Sequence, residues 1–129
     1  MDGFSQVLLI DDNLVQLKVR EAVLRNAGFT VSTATTAESA LATLCVLGDH
    51  IGLVVTDHVM PVCNGAEFVR QLRARNNWVP VVVLSGMPDA MSEYEGMHVQ
   101  FRTKPTPPSE LIELVRAGLA ESLRQRGAA

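Results

Sequence analysis

The chain has few cysteines, no long apolar run and little net charge, and each absence excludes a class of protein. Its two cysteines, Cys45 and Cys63, form neither a disulfide framework nor a close pair of metal ligands. No apolar stretch approaches the roughly 20 residues that a membrane-spanning helix needs. A formal charge of −3 with no basic face gives no electrostatic footprint for nucleic acid. We therefore expect neither a membrane nor a nucleic acid as a direct partner.

The first residues also lack a charged segment followed by an apolar one, so we expect no secretory signal and a reducing, cytoplasmic location. The length of 129 residues and the 47% hydrophobic content suit one compact domain over residues 1–129. The chain contains no linker, repeat or low-complexity tract.

Strand patterns and helix patterns alternate along the whole chain. Short apolar or β-branched runs predict strands at 7–10, 30–34, 53–56, 81–84 and 99–103. Amphipathic stretches predict helices at 13–27, 37–47 and 65–74, and a last helix from about residue 107 onward. The polar stretch 88–95 is the weakest helix. Apolar runs of this kind are typical of strands buried on both faces, which predicts an α/β fold with a single doubly wound, five-stranded parallel sheet.

Polar residues follow four of the predicted strands directly. Asp11 and Asp12 follow the first strand and Asp57 follows the third, while Ser85 and Lys104 follow the fourth and fifth. In an open parallel sheet the ligand site lies outside the carboxyl ends of the strands. The sequence therefore predicts that carboxylates, a hydroxyl and an amine meet at one edge.

This combination of groups suits phosphoryl transfer. Three close carboxylates repel one another unless a cation sits among them, and oxygen ligands favour Mg²⁺. Lys104 and Ser85 can bind phosphoryl oxygens, and a carboxylate can be the nucleophile, which would end in an acyl phosphate on aspartate. Each residue alone has a plainer explanation, because an Asp after a strand usually caps a turn or a helix. The polar residues at the ends of four strands, taken together and in this order, favour a phosphoryl-transfer site.

With these residues in view, the sequence resembles a receiver domain of a two-component response regulator over nearly its whole length. The motifs that carry the resemblance are Asp11-Asp12, Asp57 with Met60-Pro61 and Gly65, Ser85-Gly86, and Phe101 three residues before Lys104-Pro105. The resemblance implies a flavodoxin-like sheet with strand order 2-1-3-4-5. It also implies a histidine kinase or phosphotransfer protein as phosphodonor and a downstream effector of unknown identity.

The resemblance further implies a role for each motif residue. Asp57 would be the phosphoacceptor. Mg²⁺ would be bound by Asp12, Asp57 and the carbonyl of Val59, with Asp11 acting largely through water.

Ser85 and Lys104 would hold the phosphoryl group. Ser85 and Phe101 would form the switch that reshapes a partner-binding face, and a cis bond before Pro105 would aim the lysine. The protein would catalyse its own Mg²⁺-dependent phosphorylation without conventional turnover.

The chain departs from the family pattern between Ser85 and Lys104. This interval is shorter than usual by about one helical turn, ~4 residues, so we expect a shortened fourth helix. Phe101 also stands where a tyrosine is common, so the switch residue carries no phenol. The shortened helix leaves open a receiver-like interaction module that works without phosphorylation. A haloacid-dehalogenase-type phosphatase is a second alternative, but it needs an Asp two residues after the nucleophile, where this chain has Val59.

The remaining reactive residues are assigned simpler roles. We expect His50, His58 and His98 at the surface, with only His58 able to influence the chemistry, while Cys45 is predicted in the core and Cys63 at the surface. The family controls the water that hydrolyses the acyl phosphate through residues two positions after the phosphoacceptor and two after the hydroxyl residue. Here these are Val59 and Met87, which hydrogen-bond water poorly and predict a long-lived phosphorylated form. The alternative is that His58 holds this water.

Overall fold

The computed structural model describes residues 6–127. Residues 1–5 and 128–129, the two ends of the predicted domain, lie outside the described residues. Its strands are β1 (Gln6–Ile10), β2 (Thr30–Ala34), β3 (Ile51–Asp57), β4 (Val81–Ser85) and β5 (Val99–Thr103). Its α-helices are α1 (Leu14–Asn26), α2 (Ala37–Leu47), α3 (Gly65–Ala74) and α4 (Pro108–Gly127). Two 3-10 segments, η1 (Gly48–His50) and η2 (Pro88–Tyr94), complete the described part of the chain. No helix within residues 6–127 is long and apolar enough to cross a membrane.

All five strands are parallel and lie in the order β2-β1-β3-β4-β5, which confirms the predicted fold. The register aligns the carboxyl ends of the strands that carry the motif residues. Ile10 pairs with Thr56, Asp57 pairs with Leu84, and Ser85 pairs with Thr103. The polar residues at these strand ends consequently share one edge of the sheet.

Side-chain caps start the helices close to the strand ends. The Asn13 side chain accepts the backbone N–H of Gln16 at 3.1 Å and so begins α1 at Leu14, four residues after β1 ends. Asn64 forms a capping box with Glu67 and begins α3. Because a cap satisfies N–H groups that have no partner inside the helix, these short connections cost little and keep the loops around the edge compact.

Alternation along the strands divides the core between the two faces of the sheet. We call one side the α1–α4 face; its buried cluster is Val7, Leu9, Leu17, Leu24, Val31, Leu53, Val55, Val82, Leu84, Leu111, Val115 and Leu119. We call the other side the α2–α3 face; its largest buried side chains include Leu8, Ile10, Leu41, Val54, Phe68, Leu72 and Tyr94. The central strand β3 is buried along its whole length.

The predicted shortening of the fourth helix is confirmed, since the 3-10 segment η2 occupies its place. Of its seven residues, η2 buries Ala90 and Tyr94. The expectation that strand 99–103 is buried on both faces is wrong. This strand, β5, lies at the edge of the sheet beside the short η2, and none of its residues is fully buried.

Arg73 connects several loop segments at the amino ends of the strands, opposite the carboxyl ends that carry the motif residues. Its guanidinium donates to the carbonyls of Val79 at 2.7 Å and Met97 at 2.9 Å, and also to those of Asn77 and His98. The same group lies over the Trp78 ring, 5.1 Å from its centroid. These contacts fix the segments that enter β4 and β5 and therefore where their far ends emerge.

The predicted core position of Cys45 is wrong, because this thiol is exposed. The inward-facing residues of α2 are Ala37, Ala40, Leu41 and Leu44. Cys45 follows Leu44 by one residue, a rotation of about 100° around the helix axis, which turns it to solvent.

Candidate acidic site

Three carboxylates converge at the carboxyl edge of the sheet, as the sequence predicts. Oxygen atoms of Asp11, Asp12 and Asp57 all lie within 4.8 Å of one another. Asp11 and Asp57 are buried, with 1% and 3% of their surface exposed, whereas Asp12 faces solvent. The cluster forms because β1 and β3 are neighbours and end in register. Asp12 leaves the cluster open to solvent on one side.

Lys104 reaches this cluster from the end of β5. Its Nζ lies 2.8 Å from Asp57 Oδ1, and its backbone N–H donates to the Ser85 carbonyl at 2.7 Å. The peptide bond between Lys104 and Pro105 is cis, as the resemblance implies. The lysine therefore sits where a point charge can act on the Asp57 carboxylate or on a group attached to it.

Arg20 is a second cation at the cluster, and the sequence reasoning missed it. Its Nη1 donates to Asp11 Oδ2 at 3.0 Å and to Asp57 Oδ1 at 3.3 Å, while Nη2 donates to Gln16 Oε1 at 3.1 Å. Its side chain is only 15% exposed. The spacing of Asn13, Gln16 and Arg20 was the available signal, because residues i, i+3 and i+7 form a polar line along one face of α1.

The electrostatics of the cluster favour a bound cation. Burial, followed by the contact with Asp57, raises the pKa of Asp11 to about 7 from its ordinary value near 3.8. The Asn13 N–H, which donates to Asp11 Oδ1 at 2.9 Å, and the charge of Arg20 act in the opposite direction. Oxygen donors at this spacing, with one carboxylate open to solvent, fit Mg²⁺.

Ser85 lies at the end of β4, buried, with its hydroxyl turned to the following backbone. Its Oγ accepts the Met87 N–H at 2.9 Å and lies 3.3 Å from the Met87 carbonyl. Met87 and Val59, two residues after Ser85 and Asp57, are 52% and 62% exposed. Ser85 follows Leu84, the residue that pairs with Asp57, so its strand position places it next to the end of β3.

The expectation that His58 lies at the surface is wrong, because this residue is 4% exposed. Its Nδ1 lies 2.6 Å from the Tyr94 hydroxyl, and its Nε2 lies 3.6 Å from Glu93 Oε2. Tyr94 in turn packs against Phe101, with ring centroids 5.8 Å apart. His58 is therefore buried against two residues of η2, Glu93 and Tyr94.

The fold and the site together define a class of protein: a doubly wound α/β domain with an acidic pocket at the carboxyl ends of its parallel strands. A family model, the response regulator receiver domain, matches residues 7–116. The chain belongs to this family, and it is a receiver domain of the two-component response regulator type.

Curated relatives agree with this assignment. The chain is 36% identical over 126 residues to the transcriptional regulatory protein PrrA of Mycobacterium leprae, a match that covers 95% of this chain and 52% of PrrA. It is 34% identical over 121 residues to the C4-dicarboxylate transport transcriptional regulatory protein DctD of Pseudomonas aeruginosa, covering 92% of this chain and 26% of DctD. The chain thus spans about half or less of these relatives.

Solved structures share the architecture. A response regulator receiver protein from Pseudomonas putida superposes with a TM-score of 0.81 at 26% identity, covering 91% of this chain and 99% of that one. A receiver domain protein from Clostridium thermocellum gives a TM-score of 0.86 at 20% identity, covering 94% of this chain and 98% of that one. The latter likeness concerns the fold alone.

Proposed function

We propose that the domain accepts a phosphoryl group on Asp57 from a histidine kinase or phosphotransfer protein and thereby changes a partner-binding face. The observation that carries the proposal is the environment of Asp57. Its carboxylate is buried at the end of the central strand, with Asp11 and Asp12 beside it and Lys104 2.8 Å from Oδ1. A carboxylate that served only as a turn cap would need neither two further carboxylates nor a lysine beside it.

The chemistry assigns a separate task to each group. A carboxylate oxygen of Asp57 forms the new bond to phosphorus while the bond between phosphorus and the donor nitrogen breaks, and the donor imidazole leaves with the electron pair. Lys104 holds one oxygen of Asp57 and offers a positive charge to the incoming phosphoryl oxygens. Asp11, Asp12, Asp57 and the Val59 carbonyl would hold Mg²⁺, which would neutralise charge on the transferred group. The reaction modifies the protein once and is not an enzymatic turnover.

The switch follows from the present contacts of Ser85 and Phe101. To donate to a phosphoryl oxygen, the Ser85 hydroxyl has to give up the Met87 carbonyl at 3.3 Å, while its oxygen can still accept the Met87 N–H at 2.9 Å. Because that N–H stays attached, a shift of Ser85 would carry the loop that leads into η2 with it. Phe101 packs against Tyr94 of η2, so its ring and η2 have to rearrange together. The face that changes consists of η2, β5 and α4, and an effector would bind there. For a protein in this role we expect a cytoplasmic location.

Labelling with a small phosphodonor tests the proposal. Acetyl phosphate with Mg²⁺ should add one phosphoryl group, Asp57→Asn should abolish it, and Asp12→Asn or a chelator should suppress it. Asp49→Asn is the matched control, because Asp49 is an exposed aspartate in η1 at the opposite end of β3. Mass spectrometry that finds the label unchanged in Asp57→Asn would refute the assignment.

The short η2 favours one second candidate, an interaction module whose output ignores phosphate. The distinction needs an effector-binding assay. If Asp57→Asn and phosphorylated wild type bind the effector equally, the module is the better description.

A further inference from the structure

Arg20 makes contacts that a helix-surface arginine does not need. One nitrogen, Nη1, contacts two different carboxylates of the acidic cluster, Asp11 at 3.0 Å and Asp57 at 3.3 Å. These are two of the three carboxylates that could hold a metal ion. The guanidinium therefore already bridges two of the groups that a divalent cation would bridge.

The formal charges of the cluster show why this matters. In the fully ionised form that binds metal, the three carboxylates face Arg20 and Lys104, which leaves one net negative charge. Adding a divalent cation while both side chains stay would leave one net positive charge at a largely buried site. If Arg20 withdraws, the divalent cation, Lys104 and the three carboxylates are neutral together. A buried charge imbalance is costly, so the neutral arrangement is favoured.

The Arg20 side chain has space to move away from the carboxylates. A groove of about 240 Å³ lies next to it between α1 and the start of α4, lined by Gln16, Val19, Thr106, Pro108 and Leu111 among others. Nη2 also contacts a neutral acceptor, Gln16 Oε1 at 3.1 Å, so the guanidinium keeps one hydrogen-bond partner when Nη1 leaves the carboxylates. The long, flexible side chain can thus swing off the cluster without any change in α1.

We propose that Arg20 is the internal counter-cation of the acidic pocket and that Mg²⁺ binds by displacing its guanidinium. Arg20 thereby sets the Mg²⁺ concentration at which the receiver becomes competent for phosphorylation. The inference rests on the magnesium site of the proposed function and adds a residue that opposes metal binding at that site.

Calorimetric titration of the chain with MgCl₂ provides the test. Arg20→Met should bind Mg²⁺ roughly ten-fold more tightly than wild type, because a unit charge a few ångströms away is removed. Lys18→Met is the matched control: Lys18 lies on the same helix but is exposed and outside the cluster, so its loss should change the affinity by less than about two-fold. Arg20→Lys, which keeps the charge, should stay closer to wild type than Arg20→Met does.

Thermal unfolding gives a second readout that does not depend on phosphorylation. In chelator, Arg20→Met should melt below wild type, because its carboxylates lose their counter-cation, and added Mg²⁺ should raise its melting temperature by more than it raises that of wild type. Arg20→Gln serves the same purpose if Arg20→Met does not fold.

Two results would overturn the proposal, and only the second would also contradict the magnesium site of the proposed function. If wild type binds Mg²⁺ and Asp12→Asn abolishes binding, but Arg20→Met and Arg20→Gln bind no more tightly than Lys18→Met, the counter-cation role is wrong and the magnesium site stands. If wild type binds no Mg²⁺, or Asp12→Asn leaves binding unchanged, the magnesium site of the proposed function is wrong as well.

Discussion

The two faces of the sheet are closed by different physical means. The α1–α4 face is covered by two long helices, and its buried cluster is entirely aliphatic. The α2–α3 face is covered at the β5 end by the seven-residue η2 instead of a full helix. Aliphatic packing is non-directional and has many partners, whereas a short segment depends on a few specific contacts. The η2 side is therefore the side that a small change at the acidic pocket can rearrange.

The specific contact on the η2 side is the hydrogen bond between His58 and Tyr94. Both residues are buried, and their facing atoms lie 2.6 Å apart. His58 directly follows Asp57, and Tyr94 packs on Phe101, so the pair joins the loop after the predicted phosphoacceptor to the predicted switch residue. The comparison indicates that a polar, directional contact joins the two residues between which the proposed function requires movement.

The largest difference between the faces should appear on adding one methyl group to each. A Cβ on Gly65 would lie 2.5 Å from the Tyr94 hydroxyl and 2.7 Å from the backbone oxygen of Asp57. Gly65→Ala should therefore lower the free energy of unfolding by about 2 kcal/mol or more, because backbone has to shift. Urea denaturation measures this change.

Gly118→Ala is the matched substitution on the α1–α4 face. Its Cβ would lie 2.6 Å from Cδ1, 3.0 Å from Cδ2 and 3.3 Å from Cγ of Leu53, so a side chain and not the backbone has to shift. Alanine also favours the helix by about 1 kcal/mol over glycine, so the net change should be within about 1 kcal/mol. Equal destabilisation by both substitutions would contradict the comparison.

Removing one hydroxyl tests the directional contact itself. Tyr94→Phe leaves the buried His58 Nδ1 without its 2.6 Å partner and should cost about 1 to 2 kcal/mol of unfolding free energy. The same substitution in a His58→Leu background should cost much less, because the partner is already gone. If the two substitutions prove additive, the hydrogen bond does not stabilise the η2 side.

A smaller effect is expected from the pocket that lies between the two faces. The pKa of Asp11 is raised to about 7 in the folded protein against 3.8 ordinarily. Between these pH values the folded state holds a proton that the unfolded state releases, so stability falls as pH rises through this window and levels off above it.

Lowering the pH from 8 to 6 in chelator should accordingly raise the unfolding free energy by about 1 kcal/mol through this group. Saturating Mg²⁺ should suppress the gain, since bound metal requires the ionised carboxylate. Asp11→Asn should lack the gain in chelator. If Asp11→Asn gains as much unfolding free energy as wild type in chelator, a group other than Asp11 causes the pH dependence.

The smallest expected effect concerns the lifetime of the phosphorylated form on the η2 side. Val59→Asn and Met87→Glu should speed the loss of phosphate roughly three-fold, under about 1 kcal/mol of barrier, because each can orient a water molecule. His58→Ala should not slow the loss, since the imidazole is buried against Tyr94. Following the decay of labelled protein decides the matter; unchanged rates in the polar variants, with slower decay in His58→Ala, would show that His58 holds the water.

The sequence alone determined the sheet, and it determined the three carboxylates and the lysine of the acidic site. Runs such as Val81-Val82-Val83-Leu84 predict buried strands, and parallel strands have to deliver the residues that follow them to one edge. Asp11, Asp57 and Lys104 are brought together for this reason. The shortening of the fourth helix was also predictable, because it follows from the length of chain between Ser85 and Lys104.

Only the tertiary structure decided what side chains do when they reach across elements. Arg20 lies nine residues from Asp11 and 37 from Asp57, and its contacts depend on how α1 packs against β1 and β2 while its side chain reaches the end of β3. His58 is buried because Tyr94 of η2 packs against it, and Cys45 is exposed because α2 buries Leu44 instead. Periodicity and strand ends are local properties of a sequence, whereas the partner of a long or rotatable side chain is set by the three-dimensional packing around it.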